Sequence, residues 1–189
     1  MKNCFFLVLL LSGFVQLHAQ DIRLPDEPTR PKYVNYSERE SGLWLAVEPS
    51  ITTGAIDSSF MLTSRLGITA GYRFSQFLRV GFGVAPAFCF GANEKVPDAT
   101  VLVPVFFHAR GNFMEDESRM IAPFWGMELG YSMGDGAYFS PSIGFRTGLH
   151  RHAFVLSLGY VLQRFSASLR EGMKSDNYHA FLLKMGYEF

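Results

Sequence analysis

The sequence predicts an all-β fold: a closed, antiparallel, up-and-down transmembrane β-barrel of eight strands. Three observations carry that expectation. Large apolar residues return at every second position in eight separate stretches, the period of an extended strand with two unlike faces. Charge falls on only one of those faces. Glycines such as Gly71, Gly81, Gly83, Gly126, Gly130 and Gly144 gather on that same charged face, where long Arg and Glu side chains leave little room.

The strands follow in order. Leu43–Ile51 sets Leu43, Leu45, Val47 and Ile51 against Glu48. Phe60–Phe74 sets Leu62, Leu66, Ile68 and Tyr72 against Arg65 and Arg73. Phe77–Phe90 opposes Val80, Phe82, Val84 and Phe88 to Arg79. Thr100–Gly111 opposes Val101, Val103, Val105 and Phe107 to His108 and Arg110. In Met120–Tyr131, Ile121, Trp125, Met127 and Leu129 oppose Glu128. In Tyr138–Leu149, Phe139, Ile143 and Phe145 oppose Arg146. Ala153–Phe165 carries Phe154, Leu156 and Leu158. Tyr178–Phe189 carries Phe181, Leu183, Met185, Tyr187 and Phe189 against Lys184 and Glu188. A charge facing lipid costs several kcal/mol at mid-membrane, so the apolar row is assigned to lipid and the charged row to the lumen. The inverse, a soluble barrel with the apolar row inside, would overfill an eight-stranded cylinder, which encloses little more than side-chain volume.

Five prolines, Pro49, Pro86, Pro104, Pro123 and Pro141, fall inside these strands. Each lacks a ladder donor, and a closed barrel has no edge to hide the loss. Bulges or local breaks are expected there.

Ahead of the strands, Met1 to Gln20 reads as a secretory signal, with Lys2 as its basic start, Cys4–Leu11 as its apolar core and Ala19 near the cut. That run is too short for a membrane helix, which takes about 20 residues. The expected organisation is 1–19 signal peptide, 20–41 polar, proline-punctuated leader, and 42–189 barrel. Removing the signal leaves Cys89 as the single cysteine, so no internal disulfide is available. Lys plus Arg (17) equals Asp plus Glu (17), so the chain shows no basic excess for nucleic acid.

The last strand ends on Phe189 with its apolar row intact. It resembles the closing strand of the small outer-membrane β-barrel family of Gram-negative bacteria, the type of the OmpA membrane domain and OmpX. The segments Val103-Pro-Val-Phe-Phe and Ala122-Pro-Phe-Trp-Gly-Met-Glu-Leu-Gly-Tyr look like strands of that family. The resemblance covers residues 42–189. It implies an outer-membrane location, outer-membrane lipid and lipopolysaccharide as surroundings, and a monomer. It also implies that the insertion machinery reads Phe181, Leu183, Met185, Tyr187 and Phe189. Both termini and a leader would then face the periplasm. The outer loops would be Thr52–Ser59, Gly91–Ala99, Ser132–Ala137 and Ser166–Asn177. Aromatic girdles are expected at both rims: Tyr72, Phe74, Phe77, Phe113, Tyr187 and Phe189 inside, and Phe60, Phe88, Phe90, Tyr131, Tyr138, Phe139, Phe165 and Tyr178 outside.

The candidate functional group is a lumenal charge network of Glu48, Arg65, Glu128, Arg146 and Lys184, expected to pair and plug the barrel. His150-Arg151-His152 has metal-like spacing but no third ligand, Glu115-Asp116-Glu117 reads as a solvated turn, and His108 as a satisfied interior group. No metal or other cofactor is implied. Ser166, Ser168, Glu171 and His179 could in principle assemble an acyl-transfer site, although no motif marks them. The leading expectation is a non-enzymatic structural or surface-interaction protein. The alternatives are a small pore, a lipid-modifying enzyme and a soluble lipocalin-like binder.

Overall fold

The computed structural model describes residues 41–56, 59–90, 100–114, 121–149, 152–166 and 176–189. The signal sequence, the leader apart from Ser41, and Glu115, Asp116, Glu117, His150, Arg151, Ser168 and Glu171 lie outside the described residues.

Ten strand segments build the sheet: β1 (Gly42–Ile56), β2 (Ser59–Ser75), β3 (Leu78–Val84), β4 (Ala87–Phe90), β5 (Val101–Leu102), β6 (Pro104–Asn112), β7 (Ile121–Ser132), β8 (Gly136–Leu149), β9 (His152–Phe165) and β10 (Asp176–Glu188). β3 and β4 form one stave and β5 and β6 another, which leaves eight staves. Each pairs antiparallel with its neighbour in the chain, and β1 pairs with both β2 and β10. The sheet is thereby a closed, eight-stranded up-and-down barrel with no free edge.

The prolines act in three ways. Pro86 and Pro104 coincide with the interruptions: β3 stops at Val84 and β4 starts at Ala87, while Val103 separates β5 from β6. The register nevertheless carries through unchanged, from Ile68↔Val84 to Arg65↔Ala87. Pro49 and Pro141 stay inside continuous strands and interrupt one flanking ladder each. The β1–β10 rungs skip from Val47↔Tyr187 to Ser50↔Lys184, and the β8–β9 rungs from Phe139↔Leu162 to Ser142↔Gly159. Pro123 pairs with Phe145 beyond the last β6–β7 rung, Asn112↔Phe124, so it breaks nothing. Of the bulges or local breaks expected at the prolines, local breaks therefore occur at Pro49, Pro86, Pro104 and Pro141, without a shift of register. A register shift lies instead between Arg73 and Ser75, beside the β2–β3 turn.

Two loop expectations are corrected. Thr52–Ser59 is mostly strand: the β1–β2 ladder runs through Ile56↔Ser59, because inward-facing Thr52, Thr63, Ile56 and Met61 are buried and hold the hairpin extended. Ser132–Ala137 is a tight turn of Met133, Gly134 and Asp135, closed by the Asp135 N–H donating to the Ser132 carbonyl at 3.1 Å. Gly134 sits at φ 83°, a left-handed value that the third position of such a turn demands.

The apolar row faces outward along every stave. Phe82, Leu158 and Phe181 are 70%, 64% and 73% exposed, and of the assigned lipid-facing residues that are described only Ala109 is buried. Such a continuous exposed belt, with the charges inside, inverts the plan of a soluble protein. The outer aromatic girdle is smaller than expected. Phe60, Phe88, Phe90 and Tyr131 are exposed, but Tyr138, Phe165 and Tyr178 are buried. All three lie on the inward phase of their strands, opposite Phe139, the Phe154–Leu158 row and Phe181, so the girdle expectation counted aromatics at the rim without regard to the alternation.

Close approach of the strands depends on inward glycines. Gly71 and Gly81 are direct partners, and a Cβ on Gly71 would collide with the backbone of Val80 and Gly81. Gly71→Val should destabilise the barrel by about 1–3 kcal/mol through this overpacking, read as a lowered urea midpoint. An unchanged midpoint would show that β2 and β3 have room to part.

Candidate functional site

Alternation alone turns Glu48, Arg65, Arg73, Arg79, Arg110, Glu128, Arg146, Lys184 and Glu188 inward, and all are at most 5% exposed. The half of the lumen near the chain termini holds most of this charge, in two linked groups. In the first, the Glu188 carboxylate from β10 accepts from three arginines on three other staves. Arg79 Nη1 lies 3.2 Å from its Oε2, Arg110 Nη1 2.7 Å from its Oε1, and Arg146 Nε 3.0 Å from its Oε2. Arg79 also donates to Asn112 Oδ1 at 3.0 Å.

Arg110 links this group to the second. Its Nη2 donates to Glu48 Oε1 at 2.6 Å, and its guanidinium packs 4.8 Å from the Phe124 ring centre and 5.7 Å from that of Trp44. Lys184 donates to Glu128 and lies 3.8 Å from Glu48, while the Tyr138 hydroxyl donates to Glu128 Oε2 at 2.6 Å. Taking such charges out of water is expensive, and only pairing with good geometry repays it.

The structure thus brings Glu48, Glu128 and Lys184 together, sends Arg146 to Glu188 instead, and leaves Arg65 apart. Glu188 and Arg110 are the hubs. Sequence reasoning had placed both in the lumen without giving either a role, and the available signal was their inward phase near the terminal rim. The opposite half of the lumen carries an apolar cluster, in which Ile56, Met61, Phe106, Val161, Phe165 and Tyr178 are buried, beside polar groups such as Thr52, Thr63 and Gln163.

His108 is fully buried, with Nδ1 3.2 Å from Thr69 Oγ1. Glu48, His108 and Glu128 bring one ligand atom each within 4.8 Å of one another. This donor set suits a divalent metal in kind, but Lys184 and Arg110 already answer both carboxylates. A metal ion would have to displace the ammonium. Of the acyl-transfer candidates, His179 faces outward and shares a hydrogen bond of 2.8 Å with the Tyr160 hydroxyl, while the Ser166 backbone N–H donates to Asp135 Oδ1 at 3.1 Å. His152 likewise faces outward, packing against the rings of Tyr187 and Phe189.

Closed cylinder, apolar exterior and ion-paired lumen define the architecture of the small eight-stranded membrane β-barrels. A solved structure agrees on that fold. The chain is similar to neisserial surface protein A (NspA), with TM-score 0.60 and 13% identity over 78% of this chain and 97% of that one. A second match is the outer membrane protein OprG from Pseudomonas aeruginosa, with TM-score 0.44 and 11% identity over 79% of this chain and 97% of that one. No family model matches the chain, and no curated protein matches it either.

Proposed function

We propose that this is an integral outer-membrane barrel with a structural or surface-interaction role and no enzymatic activity, its lumen plugged by the Glu188 and Lys184 networks. One observation carries the reading: apolar residues cover the outside while every charged group of the strand centres is buried within. Only a hydrocarbon surrounding makes that arrangement favourable. NspA, whose fold is shared, is a surface protein by name, which supports a role for the loops at the rim opposite the termini. Outer-membrane lipid and lipopolysaccharide would surround the belt, with the termini in the periplasm and the barrel acting as a monomer.

The test is gel migration of the membrane fraction with and without boiling, followed by planar-bilayer recording. The folded barrel should migrate differently from the boiled chain and produce no steps of conductance. Recovery in the aqueous fraction would favour the lipocalin-like alternative, and regular conductance steps the small pore. Insertion is proposed to depend on the row Phe181, Leu183, Met185, Tyr187 and Phe189, of which all but the half-buried Tyr187 are well exposed. Deleting Phe189 should therefore reduce the heat-modifiable species in cells several-fold while detergent refolding persists. Wild-type levels in cells would remove this row as the recognised element.

A further inference from the structure

We infer that Arg65 holds a small inorganic anion, of the chloride class, inside the barrel. Arg65 is 3% exposed, and its Nη2 donates to Gln163 Oε1 at 3.1 Å. Its Nε and Nη1 have no hydrogen-bond partner, and no carboxylate among the described residues pairs with it. Among the described residues its other favourable contact is the Tyr138 ring, 5.2 Å from the guanidinium carbon. A guanidinium cannot shed its proton to escape burial, and a buried charge without a counterion is strongly unfavourable. A small cavity lies against it, with about 10 Å³ open to the centre of a water-sized sphere, room for one such particle. Ser50, Tyr138 and Lys184 line it together with the apolar Ala85, Phe106 and Leu182.

Glu48 and Glu128 also reach this cavity, but both are engaged elsewhere, Glu48 by Arg110 and Lys184 and Glu128 by Lys184 and Tyr138. Among the described strand residues, the buried charges are six basic (Arg65, Arg73, Arg79, Arg110, Arg146, Lys184) and three acidic (Glu48, Glu128, Glu188), with Asp135 also buried in the β7–β8 turn. The unpaired positive charge of Arg65 selects an anion, and enclosure within the staves excludes a lipid headgroup. The inference rests on the lumen alone and holds whatever membrane surrounds the barrel.

The test uses the full-length protein refolded into detergent micelles, with gluconate exchanged for chloride or bromide at constant ionic strength. The unfolding midpoint should rise with halide and saturate, as binding to the folded state requires. Arg65→Gln should abolish the rise, and Arg164→Gln, which removes an exposed charge, should keep it. Equal midpoints in all three salts, or a rise that survives in Arg65→Gln, would overturn the assignment. Should Arg65→Gln fail to fold, bromide-soaked crystals of the unaltered protein decide. An anomalous peak beside the guanidinium supports the site, and its absence there rejects it.

Discussion

Replacing Glu188 with glutamine is expected to lower the unfolding free energy of the barrel by about 3–5 kcal/mol, the range for removing one partner of a buried ion pair. Glutamine keeps the shape of the side chain and removes the charge that Arg79, Arg110 and Arg146 share. Arg110 retains Glu48 at 2.6 Å, so Arg79 and Arg146 bear most of the loss. The measurement is a urea midpoint in micelles or vesicles, at unchanged slope. A loss below about 1 kcal/mol, the value of an exposed pair, would mean that water reaches this cluster. Because Phe189 is untouched, the variant also separates stability of the barrel from the proposed recognition of its last strand.

The second large effect concerns the other face. Leu158 is paired with Ile143 and Leu183 near the middle of the exposed belt. Leu158→Arg should cost about 2–4 kcal/mol in a bilayer, the range for a cation near mid-membrane. The same change at His152, on the outward row at the terminal rim, should cost far less. If the two substitutions were equally harmless, the belt would not be in contact with hydrocarbon.

Much of this fold was legible because a strand has only two faces. Where one row was apolar and the other charged, as along Leu43–Ile51 or Phe181–Phe189, the choice of face followed from single residues such as Glu48 and Lys184. The expected girdle failed at Tyr138, Phe165 and Tyr178 because aromatic character at a rim was read without the alternation, which turns all three inward from Phe139, Leu158 and Phe181. The cross-barrel pairs were less legible still. Which arginine meets Glu188 depends on how the staves are staggered around the cylinder, a property of ten pairings at once rather than of any stretch. The prolines show the same limit. Sequence marks the missing donor, but whether Pro49 bends the strand or merely leaves rungs unmade depends on the neighbour it faces.

The Glu188 cluster also bears on how the cylinder chooses its own stagger. Sliding β10 by two residues along β1 would return every side chain to its original face, so greasiness alone cannot tell the slipped seam from the true one. Such a slip would carry the carboxylate roughly 7 Å along the strand, away from the guanidinium groups that hold it. The ionic contacts thus serve as an index mark: hydrocarbon decides which way each residue points, and charge decides where the seam closes.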